Sequence, residues 1–506
     1  MRMLAGVAAA VVALGVAALV AAPFSPAADV RTAVGSAAID LAPGGAKEWA
    51  IRTFGTSDKL FLSVAVIVVI IGVAAIAAAF ETRRAPVGSL AIVLAAAAGC
   101  AAVLSRPGAG IADVIPTLVA AVCGIATLRV LTSTGPRDDS AETSEGEPVR
   151  RRSLLTLALV AGGLLSGLAG TAWSRRRNSV AADRAALVVP PPAAPAPPIP
   201  PQVQPDTPGL TNFVTANEDF YRIDTALSVP QVAVGGWQLR IHGLVDREIT
   251  YRFADLAQFP VIEKTVTLTC VSNPVGGNLI SNAVWTGYRV RDLLAGVGIH
   301  PDADMVLSTS VDGFSAGTPL ETLTDGRDAL LAITMNGQPL PVEHGYPARL
   351  VVPGLYGYVS ATKWVTDLEL TRFDRAQGYW TPLGWSARGP IKTESRIDVP
   401  RDGTEVASGP VRFGGVAWAQ PRGIRAVEVR VDGPSGDGIW QPAELGASYS
   451  GDTWRLWSFP WQARDPGAHT ITVRATDNDG VTQTADTAPP APDGATGWHQ
   501  VSFTVR

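Results

Sequence analysis

The sequence predicts a chain of three parts: an α-helical membrane region of about five spans, a mixed α+β domain, and a C-terminal β-sandwich. Three observations carry this. Long apolar runs fill the first third. A proline-dense stretch divides them from a polar half, and helix signals vanish after about residue 399. The composition agrees, with 47% hydrophobic and 17% charged residues, where a soluble protein is nearer a quarter charged. A formal net charge of −4 offers no phosphate-neutralising surface, so a nucleic-acid partner is excluded. Three cysteines, Cys100, Cys123 and Cys270, do not make a disulfide scaffold.

Met3–Ala22, Leu60–Phe80, Val87–Leu104 and Leu154–Trp173 carry no charge, and Ile111–Leu131 has only Asp113 and Arg129 near its ends. About 20 residues at ~1.5 Å rise cross a hydrocarbon core of ~30 Å. The first run, with Arg2 before it, has the makings of a signal peptide. A retained anchor is the expectation, because four spans follow. Arg2, Arg83, Arg84 and Arg150–Arg152 fall on one side of alternating passes, the cytoplasm, which puts the C-terminal half outside; Arg175–Arg177 run against that rule. Arg151-Arg152-Ser153-Leu154-Leu155 resembles a twin-arginine export signal, a route that carries folded proteins, commonly around a cofactor. No histidine precedes His242, so the spans lack ligands for a bis-histidine haem. Cys100 and Cys123 read as packing residues.

Ten of the nineteen residues from Pro190 to Pro208 are proline. At about 3 Å per residue in polyproline II, this reads as a stiff spacer of up to ~60 Å. The expected division is 1–174 membrane region, 175–208 linker, 209–398 mixed domain and 399–506 sandwich. In the mixed domain Trp237–Ile241, Lys264–Leu268, Arg349–Val352 and Lys363–Leu370 read as strands, and Val290–Gly296 as a helix. In the sandwich Ala426–Val431, Thr470–Ala475 and Gln500–Val505 alternate, with Asp402-Gly403, Asp432-Gly433 and Asp479-Gly480 as turns.

Cys270 is the one cysteine beyond the apolar runs, at the end of a β-rich run Thr265–Thr269. It reads as a buried hydrophobe, as a thiol nucleophile with His344 as base, or as a metal ligand. Zinc would want more thiolates or a histidine cluster.

The surroundings of this cysteine resemble a known family. Thr267-Leu268-Thr269-Cys270-Val271-Ser272-Asn273 is similar to the cysteine loop of the sulfite-oxidase family of molybdenum enzymes. The resemblance runs in order over nearly all of 209–506. Asn217-Glu218-Asp219-Phe220-Tyr221-Arg222 is similar to the family's opening segment along the pterin. Asp312-Gly313-Phe314 resembles its Asp-containing loop. Asn336–Pro341 with His344, Gly345 and Arg349 is similar to the segment that holds the pterin phosphate. Pro353-Gly354, Gly357 and Ala361-Thr362-Lys363-Trp364 resemble the closing loop. Val416–Ala419, Val427–Gly433 and Val473–Gly480 resemble an immunoglobulin-like dimerisation domain, with Trp454, Trp457 and Trp461 as core and interface aromatics.

The resemblance implies an Mo-molybdopterin cofactor, with Cys270 as metal ligand and Arg222 beside it in catalysis. It implies cofactor contacts from Asn217, Phe220, Tyr221, Arg222, Cys270, Asn273, Asp312, His344, Arg349, Ala361, Thr362 and Lys363. Arginine forks and backbone N–H groups suit a phosphate. The implied reaction is oxygen-atom transfer outside the cytoplasmic membrane, on a small oxo-acceptor or oxo-donor. A separate electron-transfer partner serves it, since the family's haem module is absent, and a homodimer forms through the sandwich. Two departures bear on substrate. The family's loop arginines are replaced by Pro274-Val275-Gly276-Gly277, and Phe314 stands in the tyrosine position. A sulfoxide or N-oxide is therefore expected rather than sulfite. Sulfite oxidation is the alternative within the family. Outside it stand a Cys/His hydrolase, a redox-dead cofactor binder and a non-enzymatic membrane-tethered envelope protein.

Overall fold

The computed structural model describes residues 1–43, 45–46, 49, 53, 58–133 and 147–506, without the side chains of Asp58 and of 147–152. The chain divides into a unit of Met1–Ser179 with Thr225–Val229 and a unit of Val180–Asp224 with Pro230–Arg506. In the first, α1 (Arg2–Ala21), α2 (Val30–Leu41), α3 (Asp58–Ala79), α4 (Val87–Leu104), α5 (Ile115–Ser133) and α6 (Glu147–Asn178) are the long helices. Among the described residues five candidate spans, Arg2–Ala21, Lys59–Ala79, Val87–Leu104, Ile111–Ser133 and Ser153–Ala186, are long and apolar enough to cross a membrane. All five match the sequence expectation.

Small residues explain the packing. α1 lies against α3, α5 and α6. Its Ala5, Ala8, Ala9, Ala17 and Ala18 are buried. A Cβ added to Gly15 would meet the Gly163 carbonyl oxygen, and one on Gly170 would meet Ala18, so glycine lets these helices touch through backbone. α2 was not expected, because it is short and only moderately apolar. Arg151 and Arg152 fall within α6, but their side chains lie outside the described residues.

The second unit opens with the proline-rich segment, and here the expectation of a free spacer is corrected. Ala193 N–H donates to the Val261 carbonyl (2.8 Å) and Glu263 N–H to that of Ala194 (2.9 Å). The Tyr449 hydroxyl donates to the Pro197 carbonyl (2.6 Å), and Val203 is buried in the domain core. Prolines leave carbonyls free to accept, so a polyproline strand docks on a sheet edge as readily as it spans solvent.

Ten strands follow: β1 (Gln238–Gly243), β2 (Ile249–Arg252), β3 (Val261–Thr269), β4 (Ile280–Arg289), β5 (Met305–Ser310), β6 (Ser315–Pro319), β7 (Leu330–Met335), β8 (Gln338–Pro339), β9 (Arg349–Val351) and β10 (Val365–Thr371). They form one sheet in the order β2-β1-β10-β5-β6 and another in the order β3-β4-β7-β8, with β9 on β7. β1 and β10 are parallel; the other pairs are antiparallel. The mixed reading narrows to a β-rich domain whose α-helices after β1 are the short Val290–Leu294 and Leu320–Thr324.

The C-terminal strands are β11 (Glu394–Val399), β12 (Thr404–Val406), β13 (Gly409–Trp418), β14 (Ile424–Asp432), β15 (Gln441–Pro442), β16 (Glu444–Leu445), β17 (Arg455–Ala463), β18 (Gly467–Asp477) and β19 (His499–Val505). Two sheets, β11-β13-β17-β16 and β12-β19-β18-β14-β15, enclose one apolar core containing Phe413, Val427, Trp457, Ile471 and Phe503. The sandwich begins at Glu394, ahead of the boundary expected near Pro400, because β11 pairs with β13. Trp454 belongs instead to the core of the preceding domain, with its Nε1 donating to the Phe213 carbonyl (2.9 Å).

Candidate active site

Cys270 is the first residue after β3. Its N–H donates to the Leu279 carbonyl (2.9 Å), and its own carbonyl accepts from Asn273 N–H (3.1 Å), which folds the loop back under the strand. Asn273 is buried and accepts from Leu279 N–H through Oδ1 (2.8 Å). Its Nδ2 and the Thr269 hydroxyl have no partner. The thiol is buried. Burial pushes it above the ordinary cysteine value, against hydrogen bonds from Ser272 that pull it down. Such a thiol is protonated and unreactive unless a metal takes the proton's place.

His344, Arg349 and Lys363 converge at Gly345, whose φ of 110° suits glycine. A Cβ placed there would lie 3.0 Å from Arg349 Cβ and 3.1 Å from Lys363 Cβ. Lys363 Nζ is 2.8 Å from Asp224 and donates to the Glu343 carbonyl (3.1 Å). Arg222 Nε reaches the same carboxylate at 2.9 Å. Arg349 has no carboxylate partner among the described residues. It is buried over the Trp285 ring (5.2 Å) and donates to the carbonyls of Leu350, His344 and Ala361 at 3.4, 3.2 and 3.3 Å. Burial brings it down to about 10. His344 is driven down to about 3, first by burial and then by the charges of Arg349, Lys363 and Arg222, so it is neutral. Three cations less one carboxylate leave two positive charges, matching a phosphate monoester.

Phe220 joins the two halves of the site. It stacks on Tyr221 (5.4 Å) and meets His344 (5.4 Å) and Trp285 (5.6 Å) edge-on. A Cβ on Gly357 would lie 3.4 Å from Ala361 Cβ and 3.8 Å from both the Thr269 carbonyl and the Tyr221 hydroxyl. Burial and then the charge of Cys270 push the Tyr221 phenol up.

Other expected residues take supporting places. Asn217 donates to the Met335 carbonyl (3.3 Å) and accepts from Asn336 (2.9 Å), so its side chain fixes the opening segment to β7. The Thr362 hydroxyl is taken by Ser308 (2.7 Å). Ala361 contributes its carbonyl to Arg349. Asp312 lies in the β5–β6 hairpin, where its carboxylate accepts from Phe314 N–H (3.4 Å), and no described contact joins it to the Cys270 cluster.

Two further observations bear on the pocket. Phe314 packs against Tyr379 (5.9 Å), whereas Tyr221 and Tyr356 carry hydroxyls in the field of Cys270. The cysteine loop also has a cation from the sandwich, because Arg396 Nη1 donates to the Gly277 carbonyl (3.0 Å). Sequence reasoning missed Asp224, Trp285, Tyr356 and Arg396. Only Asp224, two residues after Arg222, had a local signal.

Among the described residues no group of three or more His, Cys, Asp or Glu side chains could hold a metal ion, so a metal bound by Cys270 would need its other ligands from a cofactor. The residues fit such a group. An unpaired buried guanidinium awaits an anion, and two orphaned polar atoms flank the thiol.

A family model described as "Oxidoreductase molybdopterin binding domain" matches residues 226–380. The chain is 31% identical over 293 residues to human mitochondrial sulfite oxidase, covering 49% of this chain and 52% of that protein. It is 34% identical over 153 residues to the uncharacterized oxidoreductase YuiH of Bacillus subtilis (strain 168), covering 30% of this chain and 74% of that protein. The chain spans about half the length of the mitochondrial sulfite oxidases it matches. The crystal structure of the sulfane dehydrogenase SoxCD from Paracoccus pantotrophus aligns with 57% of this chain and 81% of its own, at 24% identity and a TM-score of 0.49.

Proposed function

The chain belongs to the sulfite oxidase family of molybdopterin-dependent oxidoreductases, and on that premise we propose that it transfers an oxygen atom from a neutral S-oxide or N-oxide. Molybdopterin, when bound, supplies the two-electron oxygen-transfer couple. Cys270 is the protein's thiolate to the metal. Arg349, Lys363 and Arg222 hold the pterin phosphate, with neutral His344 as a hydrogen-bonding partner. Asn217 and Phe220 fix the segment that carries Tyr221 and Arg222.

The observation that carries the substrate class is the charge balance around the cysteine loop. Arg396 is neutralised by Asp398 at 2.6 Å, and its remaining donors go to Gly277 and Thr211. His499, beside Gly276, is brought down to about 4 by burial and then by Arg396, so it is uncharged at neutral pH. Arg222 is paired with Asp224. The two positive charges left by Arg222, Lys363 and Arg349 against Asp224 are assigned to the pterin phosphate, so beside the cysteine loop a dianion meets only Arg396 with its Asp398 partner, whereas the phenols of Tyr221 and Tyr356 suit an oxide oxygen. The proposed setting is the outer face of the cytoplasmic membrane, with electrons from a separate redox protein and the sandwich as a dimer contact.

Oxidation of sulfite is the second reading, because the human relative bears that name. Steady-state rates with a dialkyl sulfoxide, an amine N-oxide and sulfite, using artificial donors and acceptors, decide between them. Sulfite turnover exceeding both oxides overturns the neutral-substrate reading.

A further inference from the structure

The buried carboxyl of Glu394 takes no part in the site described so far. It is 5% exposed, and among the described residues it forms no hydrogen bond or ion pair. An unpaired buried carboxylate is costly, so such a group stays neutral or serves as a proton carrier.

Its place in the fold points toward the active site. β11 alternates, and Ser395 and Ile397 face the sandwich, Ser395 on Gln483 and Ile397 in its apolar core. Glu394 and Arg396 therefore share the opposite face, and Arg396 touches the Gly277 carbonyl of the cysteine loop. In register, Glu394 stands across from Trp418, whose buried Nε1 has no partner; Gln420 beyond it has an unpaired Oε1 while its Nε2 donates to the Thr267 carbonyl. This face thus holds a run of unmet polar atoms between the sandwich and β3.

Tyr356 connects it to the metal position. Its hydroxyl accepts from Lys392 N–H (3.4 Å), and Lys392 lies two residues ahead of Glu394, the first residue of β11, so their Cα atoms are at most about 7 Å apart. Tyr356 adjoins Gly357, which faces the Thr269 carbonyl next to Cys270. Burial and then the charge of Glu394 push this phenol up, with smaller contributions from Asp493 and Cys270.

Resting on the function proposed above, we infer that Glu394 is the site's proton-exchange residue, passing protons between solvent and the substrate oxygen through the Tyr356 hydroxyl. Reduction of an S-oxide consumes two protons and two electrons: R₂SO + 2H⁺ + 2e⁻ gives R₂S and H₂O. The electrons come from the redox partner, and each proton enters by Glu394, which is then reprotonated from solvent. Burial raises the Glu394 carboxyl to about 8, so it holds a proton at neutral pH. The titratable groups around it are Lys392, which is paired with Asp493, then Tyr356, Arg396 with Asp398, and Asp477 with Arg422.

The test uses the full-length holoenzyme and E394Q, which copies the shape of the neutral acid and leaves folding unperturbed. For the wild type, kcat for sulfoxide reduction should fall with pH through about 8. In E394Q kcat should drop by about tenfold or more and that alkaline limb should vanish. Y356F should lower kcat with little change in KM. Independently of turnover, infrared spectra at neutral pH should show the C=O stretch of a buried neutral carboxylic acid that E394Q removes. Wild-type rate and pH profile in E394Q, or no such band, overturns the inference and leaves the function standing. Failure of the wild type on every oxide counts against the function, and the infrared band still decides the state of Glu394.

Discussion

Replacing Arg349 by Met tests the anion site most directly, because methionine is unbranched and uncharged and fills much of the same volume. The fall of Arg349 from 12.5 to about 10 means that its buried charge costs about 3 kcal/mol in the cofactor-free protein. Three hydrogen bonds to carbonyls, at 3.2 to 3.4 Å, and the Trp285 contact offset part of that. At about 1 kcal/mol per hydrogen bond, the two sides nearly cancel. The cofactor-free variant should therefore melt within a few degrees of wild type. With phosphate bound the balance differs, because a charge-assisted hydrogen bond contributes about 1.5–3 kcal/mol and Arg offers two to a phosphate. Losing both weakens cofactor binding by about 3–6 kcal/mol, or roughly 10²- to 10⁴-fold. Arg349→Lys should fall between, keeping charge without the fork. The assays are molybdenum and pterin content of the purified full chain, and melting followed by tryptophan fluorescence with and without cofactor. Wild-type occupancy in R349M, or a large loss of cofactor-free stability, would refute the assignment of Arg349 to the phosphate.

Cys270→Ser should abolish turnover and reduce bound molybdenum while shifting the melting temperature little, since the hydroxyl is similar in size and the loop is pinned through Asn273 and Leu279; metal analysis beside thermal melting checks both halves. Lys363 is brought down to about 8, chiefly by burial and against the pull of Asp224. As pH rises through that value its ammonium is lost and the cluster falls from two net charges to one, so cofactor release should accelerate above pH 8 and do so less in K363M. In the cofactor-free protein the sign is opposite. A lysine depressed in the fold burdens the native state while charged, so native stability gains as pH rises through about 8. Replacing Arg151 and Arg152 together by Lys should leave the C-terminal half inside the cell, scored by protease access in spheroplasts; wild-type exposure in that variant shows that positive charge alone suffices.

What the sequence disclosed follows from the range of the forces involved. The five spans rest on local apolar runs, and the strands Thr470–Ala475 and Gln500–Val505 rest on alternation, so both were legible residue by residue. His344, Arg349 and Lys363 stand in the sequence in the order expected, and their meeting at Gly345 follows from the turn after Val342–His344. Contacts between distant segments were not. The proline segment reads as a spacer until the backbone donors on β3 and the Tyr449 hydroxyl are found waiting for its carbonyls. Arg396 reads as an ordinary strand residue until Gly277, 119 positions away, accepts its hydrogen bond.

The charge cluster also bears on how the protein is assembled. Its two net positive charges lack a counter-anion in the empty fold, and a dianion that binds only the folded domain stabilises it in proportion to the logarithm of its concentration over its dissociation constant. Native stability of the second unit should therefore rise wherever the phosphate-bearing cofactor is present. A chain threaded outward unfolded would form this pocket without its anion. It would carry an uncompensated Arg349 under Trp285 and a protonated thiol at Cys270. A route that moves the domain after it has closed on the cofactor avoids both. On the proposal that Arg151-Arg152-Ser153-Leu154-Leu155 acts as a twin-arginine signal, the two net positive charges around His344 would place loading before export.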